Sequence, residues 1–136
     1  MALSLKKIIP IEAAGDAKAL GLHLMGDLHQ CQGDRRYFLD AELLRSHCLE
    51  LVEAAGLTVV GDHFHQFGEG GGVTGVVVLA ESHLSVHTWP EKDAVTVDVY
   101  VCNYSTNNRV KARRLFDELV GTFDSAQPRF FTVDRT

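Results

Sequence analysis

From Leu22 the chain alternates: Leu22, Leu24, Gly26 and Leu28 fall on one side of an extended segment, and His23, Met25 and Asp27 on the other. A period of two predicts a half-buried strand. Between Asp40 and Ala55 the period changes. Leu44, Cys48, Leu51, Val52 and Ala55 recur at helical spacing, and Gly56 follows where a helix end favours positive φ. Leu57 to Phe67 and Val73 to Ala80 read as two strands of a hairpin joined by the loop Gly68-Glu69-Gly70-Gly71-Gly72, the second being a short apolar run of the kind found at sheet centres. Ala94 to Cys102 alternates again, with Val95, Val97, Val99 and Val101 against Thr96, Asp98, Tyr100 and Cys102. That strand has one apolar face and one chemical face. A second helix is predicted from Asn108 to Thr122, with Ala112, Phe116, Leu119, Val120 and Phe123 turned inward and Ser105 to Asn108 as candidate caps. Arg129 to Val133 reads as a last strand.

This order predicts an α+β two-layer sandwich, a mainly antiparallel sheet with two helices on one face. The other face stays uncovered. With so many valines in the strands it would be an exposed apolar patch unless a second copy lay on it, so a homodimer by sheet-to-sheet packing is expected. At 136 residues, 46% hydrophobic and 23% charged, the chain suits one domain. Residues 1–19 are expected to form a flexible extension and residues 20–136 the domain. The longest apolar run, Val76 to Ala80, is far short of the roughly 20 residues of a membrane span, and residues 1–15 lack a signal-peptide core. Net charge is −5 with no basic half, which argues against nucleic acid as a partner; Arg109 to Arg114 reads as a solvated helix face. Cys31, Cys48 and Cys102 fit neither a disulfide framework nor a CxxC motif, and a reducing cytoplasm is the simplest location.

The unusual segment is Glu81-Ser82-His83-Leu84-Ser85-Val86-His87-Thr88-Trp89-Pro90-Glu91. Taken singly its residues are unremarkable in function: a strand histidine ordinarily packs or hydrogen-bonds, Trp89 fills a core and Pro90 forms a turn. Their density is what marks a candidate site. Ser82 and His87 are five apart, so a regular strand would point them to opposite faces, and cooperation within one chain would require a bend.

This string, preceded by Gly72 to Ala80 and followed by Cys102, closely resembles the short prokaryotic S-adenosylmethionine decarboxylases, which carry a self-generated pyruvoyl group. The likeness is specific from Phe64 to Cys102 and colinear from Gly21 to Phe123. It implies that Ser82 attacks the carbonyl of Glu81, that β-elimination then cuts the chain into residues 1–81 and 82–136, and that Ser82 becomes the pyruvoyl group. His87 is implied to move a proton in that processing, with Thr74 assisting the first shift. The substrate amine would form a Schiff base with the pyruvoyl carbonyl, and Cys102 would protonate Cα once carbon dioxide has left. Phe67 is implied to stack on adenine and Glu91 to bind the ribose. The product would be the aminopropyl donor for spermidine synthesis, and the assembly a dimer of cleaved protomers. Decarboxylating an amino acid needs such an electron sink. Pyridoxal phosphate is the usual one, but the chain has no phosphate-cradling motif with a lysine partner and is short for that chemistry.

Three positions depart from the family pattern. Thr74 stands where a serine is common, adding a methyl that restricts χ1; the loop at 68–72 lacks a proline and is one residue longer, bringing in Glu69; Leu22 stands where many relatives carry arginine. Because some relatives decarboxylate ornithine or arginine, a pyruvoyl-dependent ornithine or arginine decarboxylase is the first alternative. An unprocessed partner subunit is the second, although such a chain would be expected to have lost Ser82, His87 or Cys102. A metal site from His63, His65, His83 and His87 is disfavoured because the Hx3H pair reads as extended, and no metal is expected. A hydrolase using Ser82, His87 and Asp98 lacks the GxSxG elbow.

Overall fold

A computed structural model describes residues 20–104 and 106–136, so the extension 1–19 and the candidate cap Ser105 lie outside it. The first alternating segment forms β1 (Gly21–Cys31), followed by the one-turn helix α1 (Arg36–Leu39) and by α2 (Ala41–Ala54). Strands β2 (Val59–Gln66), β3 (Val73–Leu79), β4 (Ser82–Trp89) and β5 (Ala94–Cys102) come next, then α3 (Arg109–Phe123) and β6 (Ser125–Arg135). They make one six-stranded antiparallel sheet in the order β2-β3-β4-β5-β1-β6. The α+β two-layer architecture agrees with the pattern reading, with α1 as an added turn of helix.

Helix α2 starts where Asp40 accepts hydrogen bonds from the backbone amides of Glu42 and Leu43, a cap of the kind that contributes about 1 kcal/mol. It ends at Gly56, whose φ of +83° lets its amide bond to the Glu53 carbonyl and that of Leu57 to the Val52 carbonyl. Helix α3 buries Ala112, Leu115, Phe116, Leu119, Val120 and Phe123. These residues, with Leu44, Cys48 and Val52 of α2, close over Leu22, Leu24, Leu84, Val86, Val97 and Val99 of the sheet. Full burial of each such aliphatic or aromatic side chain is worth about 1.5–3 kcal/mol.

Strand β6 is longer than its sequence suggested. Residues 125–128 show no strand pattern, yet they pair with the end of β1, and Pro128 is tolerated because β6 is an edge strand.

The uncovered sheet face differs from the expected apolar patch. All four odd-numbered valines of β5 turn toward the helices. The open face carries a polar centre (His23, Ser85, Asp98 and Tyr100) flanked by exposed Val78 on one side and Phe131 and Val133 on the other. Among the described residues no helix is long and apolar enough to cross a membrane.

Candidate active site

Strand β4 is regular. Its register with β5 runs unbroken from Ser82 opposite Val101 to Trp89 opposite Ala94, so there is no bend between Ser82 and His87. The candidate residues therefore separate into two groups at opposite ends of the strand, about 17 Å apart at 3.3 Å per residue.

At one end, His87 lies opposite Thr74, and the Thr74 hydroxyl shares a hydrogen bond of 3.1 Å with His87 Nδ1. The Trp89 ring stacks on the imidazole with centroids 5.8 Å apart. A cavity of about 600 Å³ opens here, lined by Phe67, Glu69, Thr74, His87, Trp89 and Glu91 among others, a volume within the range of ligand sites. Thr88 fixes this end. Its hydroxyl is buried, accepts from the Val73 amide at 2.8 Å and donates to the Phe38 carbonyl at 2.8 Å. Arg35 braces the following turn by donating to the Pro90 carbonyl at 3.0 Å. Trp89, read from sequence as core, is 37% exposed and forms a cavity wall, whereas Pro90 is buried and starts a short 3-10 turn.

The glycine loop is held against the same strand. A Cβ on Gly72 would lie 2.0 Å from the Thr88 carbonyl oxygen and 3.0 Å from Pro90, both parts of rigid backbone or ring. Gly72→Ala is expected to push the loop bearing Phe67 and Glu69 away from His87, lowering the melting temperature and weakening substrate binding. Gly61→Ala, with nothing within 4 Å of the added methyl, is expected to change neither. Thermal melts and binding titrations on the two variants check this.

At the other end, Ala80 and Glu81 form a two-residue connection between β3 and β4, with Leu79 paired to Ser82. Neither residue has positive φ, so the turn is not of the primed types usual in such hairpins. Ser82 and Glu81 line a cleft of about 360 Å³ on the helix side, with Leu57, Thr58, Asn108 and Lys111. Cys102 follows the register partner of Ser82 in β5 and shares the open face with Asp98 and Tyr100. Cys31 and Cys48 belong to the core. Burial, with Asp93 nearby, pushes the Cys31 thiol up to about 11, and burial alone pushes Cys48 to about 12, so both stay protonated and unreactive at neutral pH.

Between the ends, Asp98 accepts from His23 Nε2 at 3.1 Å and from the Ser85 hydroxyl at 3.3 Å. Asp98 is thus engaged away from His87, and the Ser82-His87-Asp98 hydrolase constellation is not assembled. His23 had no signal in the sequence, since only the β1–β5 register brings it to Asp98. The position of Trp89 was legible in principle: it shares strand parity with His87. Among the described residues no three metal-ligating side chains come together.

Among the described residues, one antiparallel sheet with its helices on one side and polar residues on the other defines a small two-layer α+β protein. The crystal structure of the adenosylmethionine decarboxylase from Aquifex aeolicus VF5 matches with a TM-score of 0.76 at 36% identity, covering 88% of this chain and 92% of that one. The family profile described as S-adenosylmethionine decarboxylase matches residues 22–136. Curated relatives called "S-adenosylmethionine decarboxylase proenzyme" include one from Hydrogenobaculum, 43% identical over 107 residues (78% of this chain, 74% of that protein). Another, from Pyrobaculum aerophilum, is 35% identical over 122 residues (90% of this chain, 93% of that protein). The chain belongs to the S-adenosylmethionine decarboxylase family.

Proposed function

We propose that this chain is an S-adenosylmethionine decarboxylase proenzyme that cuts itself between Glu81 and Ser82 and works as a homodimer whose sites each draw on both copies. The observation that carries this reading is the separation along β4: Thr74, His87, Trp89 and Glu91 surround one cavity, while Glu81, Ser82 and Cys102 sit at the far end. A two-fold axis across the strands, with the open faces packed at the usual sheet spacing of about 10 Å, would bring the hairpin tip of one copy to the His87 end of the other. The Ser82 side chain starts on the helix side of that tip, so the tip must turn toward the open face for the two to meet. The exposed Val78, Phe131 and Val133 would be covered by the same contact.

The residues at the hairpin tip suit a pyruvoyl group made from the backbone. A break after Glu81 falls where the two-residue turn meets Ser82, the first paired residue of β4, and needs no phosphate cradle. That group supplies an electron-poor carbonyl for the pair left behind by departing carbon dioxide. Cys102, beside the register partner of Ser82, is placed to return a proton to the substrate. The hydrogen-bonded Thr74 and His87 are suited to the proton transfers of maturation, which general acid–base catalysis requires within hydrogen-bond reach. Phe67 and Trp89 offer aromatic faces to an adenine, and Glu91 an acceptor for ribose hydroxyls. Glu69 and Glu91 give the cavity a negative lining suited to a cationic sulfonium.

Intact-mass analysis of the denatured protein tests this reading, with pieces of 81 and 136 − 81 = 55 residues expected. Borohydride is expected to block the shorter piece and abolish activity. Carbon dioxide should be released from labelled S-adenosylmethionine and not from ornithine or arginine. A single uncut chain without a reducible carbonyl would overturn the reading, and release from ornithine or arginine alone would reassign the substrate.

A further inference from the structure

The cleft behind the Glu81–Ser82 bond contains a cation that the maturation chemistry above does not use. Lys111, in the first turn of α3, lines it together with Thr58, Glu81, Ser82 and Asn108. Among the described residues Lys111 has no ion-pair partner. Its stem lies over Gly56, where an added Cβ would sit 3.5 Å from Lys111 Cε and 3.9 Å from Nζ. The positive φ of +83° at Gly56 favours a residue without a side chain, and that leaves the space to the lysine. Asn108 is 5% exposed and is held by donating from Nδ2 to the Cys102 carbonyl at 2.9 Å.

We infer that Lys111, with Asn108 beside it, stabilises the negative charge that develops on the α-carboxyl group of Glu81 during self-cleavage. The inference rests on the cleavage reading above. In the first step the Ser82 Oγ–carbon bond forms, the Glu81 C–N bond breaks and the hydroxyl proton passes to the Ser82 nitrogen. The step passes through a transient oxyanion on the Glu81 carbonyl, but from amide to ester it creates no net charge. In the second, a base removes the Ser82 Cα proton, its electron pair becomes the Cα=Cβ double bond, and the Cβ–Oγ bond breaks with its pair leaving on Glu81 as a carboxylate. That new anion arises on a residue which already carries a side-chain carboxylate, and two such groups on one residue repel. An ammonium in the adjoining cleft lowers the energy of the leaving carboxylate where charge develops. The oxyanion of the shift is discharged as the C–N bond breaks, whereas the carboxylate persists, so Lys111 acts chiefly on the elimination.

The test follows freshly synthesised wild-type, Lys111→Met and Lys111→Arg chains by denaturing mass spectrometry, with and without hydroxylamine. Wild type should cut, Lys111→Met should cut roughly 100-fold more slowly, and Lys111→Arg should lie between. The uncut Lys111→Met chain should hold the ester, so hydroxylamine should split it into a piece ending in a Glu81 hydroxamate and a piece starting with an unmodified Ser82. Cutting of Lys111→Met at the wild-type rate, or slow cutting without a hydroxylamine-sensitive bond, overturns the inference. Lys111→Gln supplies the same readout if the methionine variant does not fold. An uncut wild type refutes the cleavage reading itself, which separates the two failures.

Discussion

Ser82→Ala is expected to yield one uncut chain of 136 residues, at 15.0 kDa, under conditions where the wild type gives two pieces. Without the hydroxyl no oxygen is available to take over the Glu81 carbonyl, so both cleavage and decarboxylation should vanish completely. The fold should survive. Ser82 is the first residue of β4, only partly buried and outside the apolar core, and a substitution at such a position changes stability by about 0.5 kcal/mol. A melting curve beside the mass spectrum distinguishes lost chemistry from lost structure. Cleavage in the alanine variant would move the junction elsewhere.

Ser82→Ala and His87→Ala chains, each inactive alone, are expected to recover activity when synthesised together. Random pairing makes half the dimers mixed, and each mixed dimer assembles one intact site of two, so recovery should reach about one quarter of the wild-type rate. Mixing the two proteins after each has folded should recover less, because exchange must precede maturation. His87 lies on the open sheet face opposite Thr74 and Thr96, away from the helix-packed core, so its loss should spare the fold. Carbon dioxide release per dimer, with the two variants distinguished by mass, is the measurement. No recovery at any ratio would place the whole site within one chain, against the distance along β4.

Much of this was legible in the sequence because strand and helix periods are local. The alternation of Val95 to Val101 specifies which face of β5 is buried, and the spacing of Ala112, Phe116 and Leu119 does the same for α3. Ser125 to Pro128 was missed because an edge strand can take its pairing from a neighbour without displaying a pattern of its own. The odd spacing of Ser82 and His87 was correctly read as a conflict, but only the register shows that it is not relieved by a bend. Lys111 could not have been connected to Ser82 by any local rule, since the link is made by α2 ending and α3 beginning over the same hairpin tip. Asp98 and His23 are likewise joined only by strand order. Family resemblance singled out Ser82, His87, Cys102, Thr74, Phe67 and Glu91; their sorting into two groups belongs to the three-dimensional arrangement.

Strand β1 lies between β5 and β6, although it comes from the opposite side of the proposed cut. Once severed, the two fragments would interlock like clasped fingers, sharing the β3/β4, β5/β1 and β1/β6 seams, so neither could depart without dismantling the sheet. Reassembly after denaturation would then be a second-order encounter of two polypeptides. Recovery would depend on concentration, and the mature form would owe its lifetime to slow opening more than to reversible refolding.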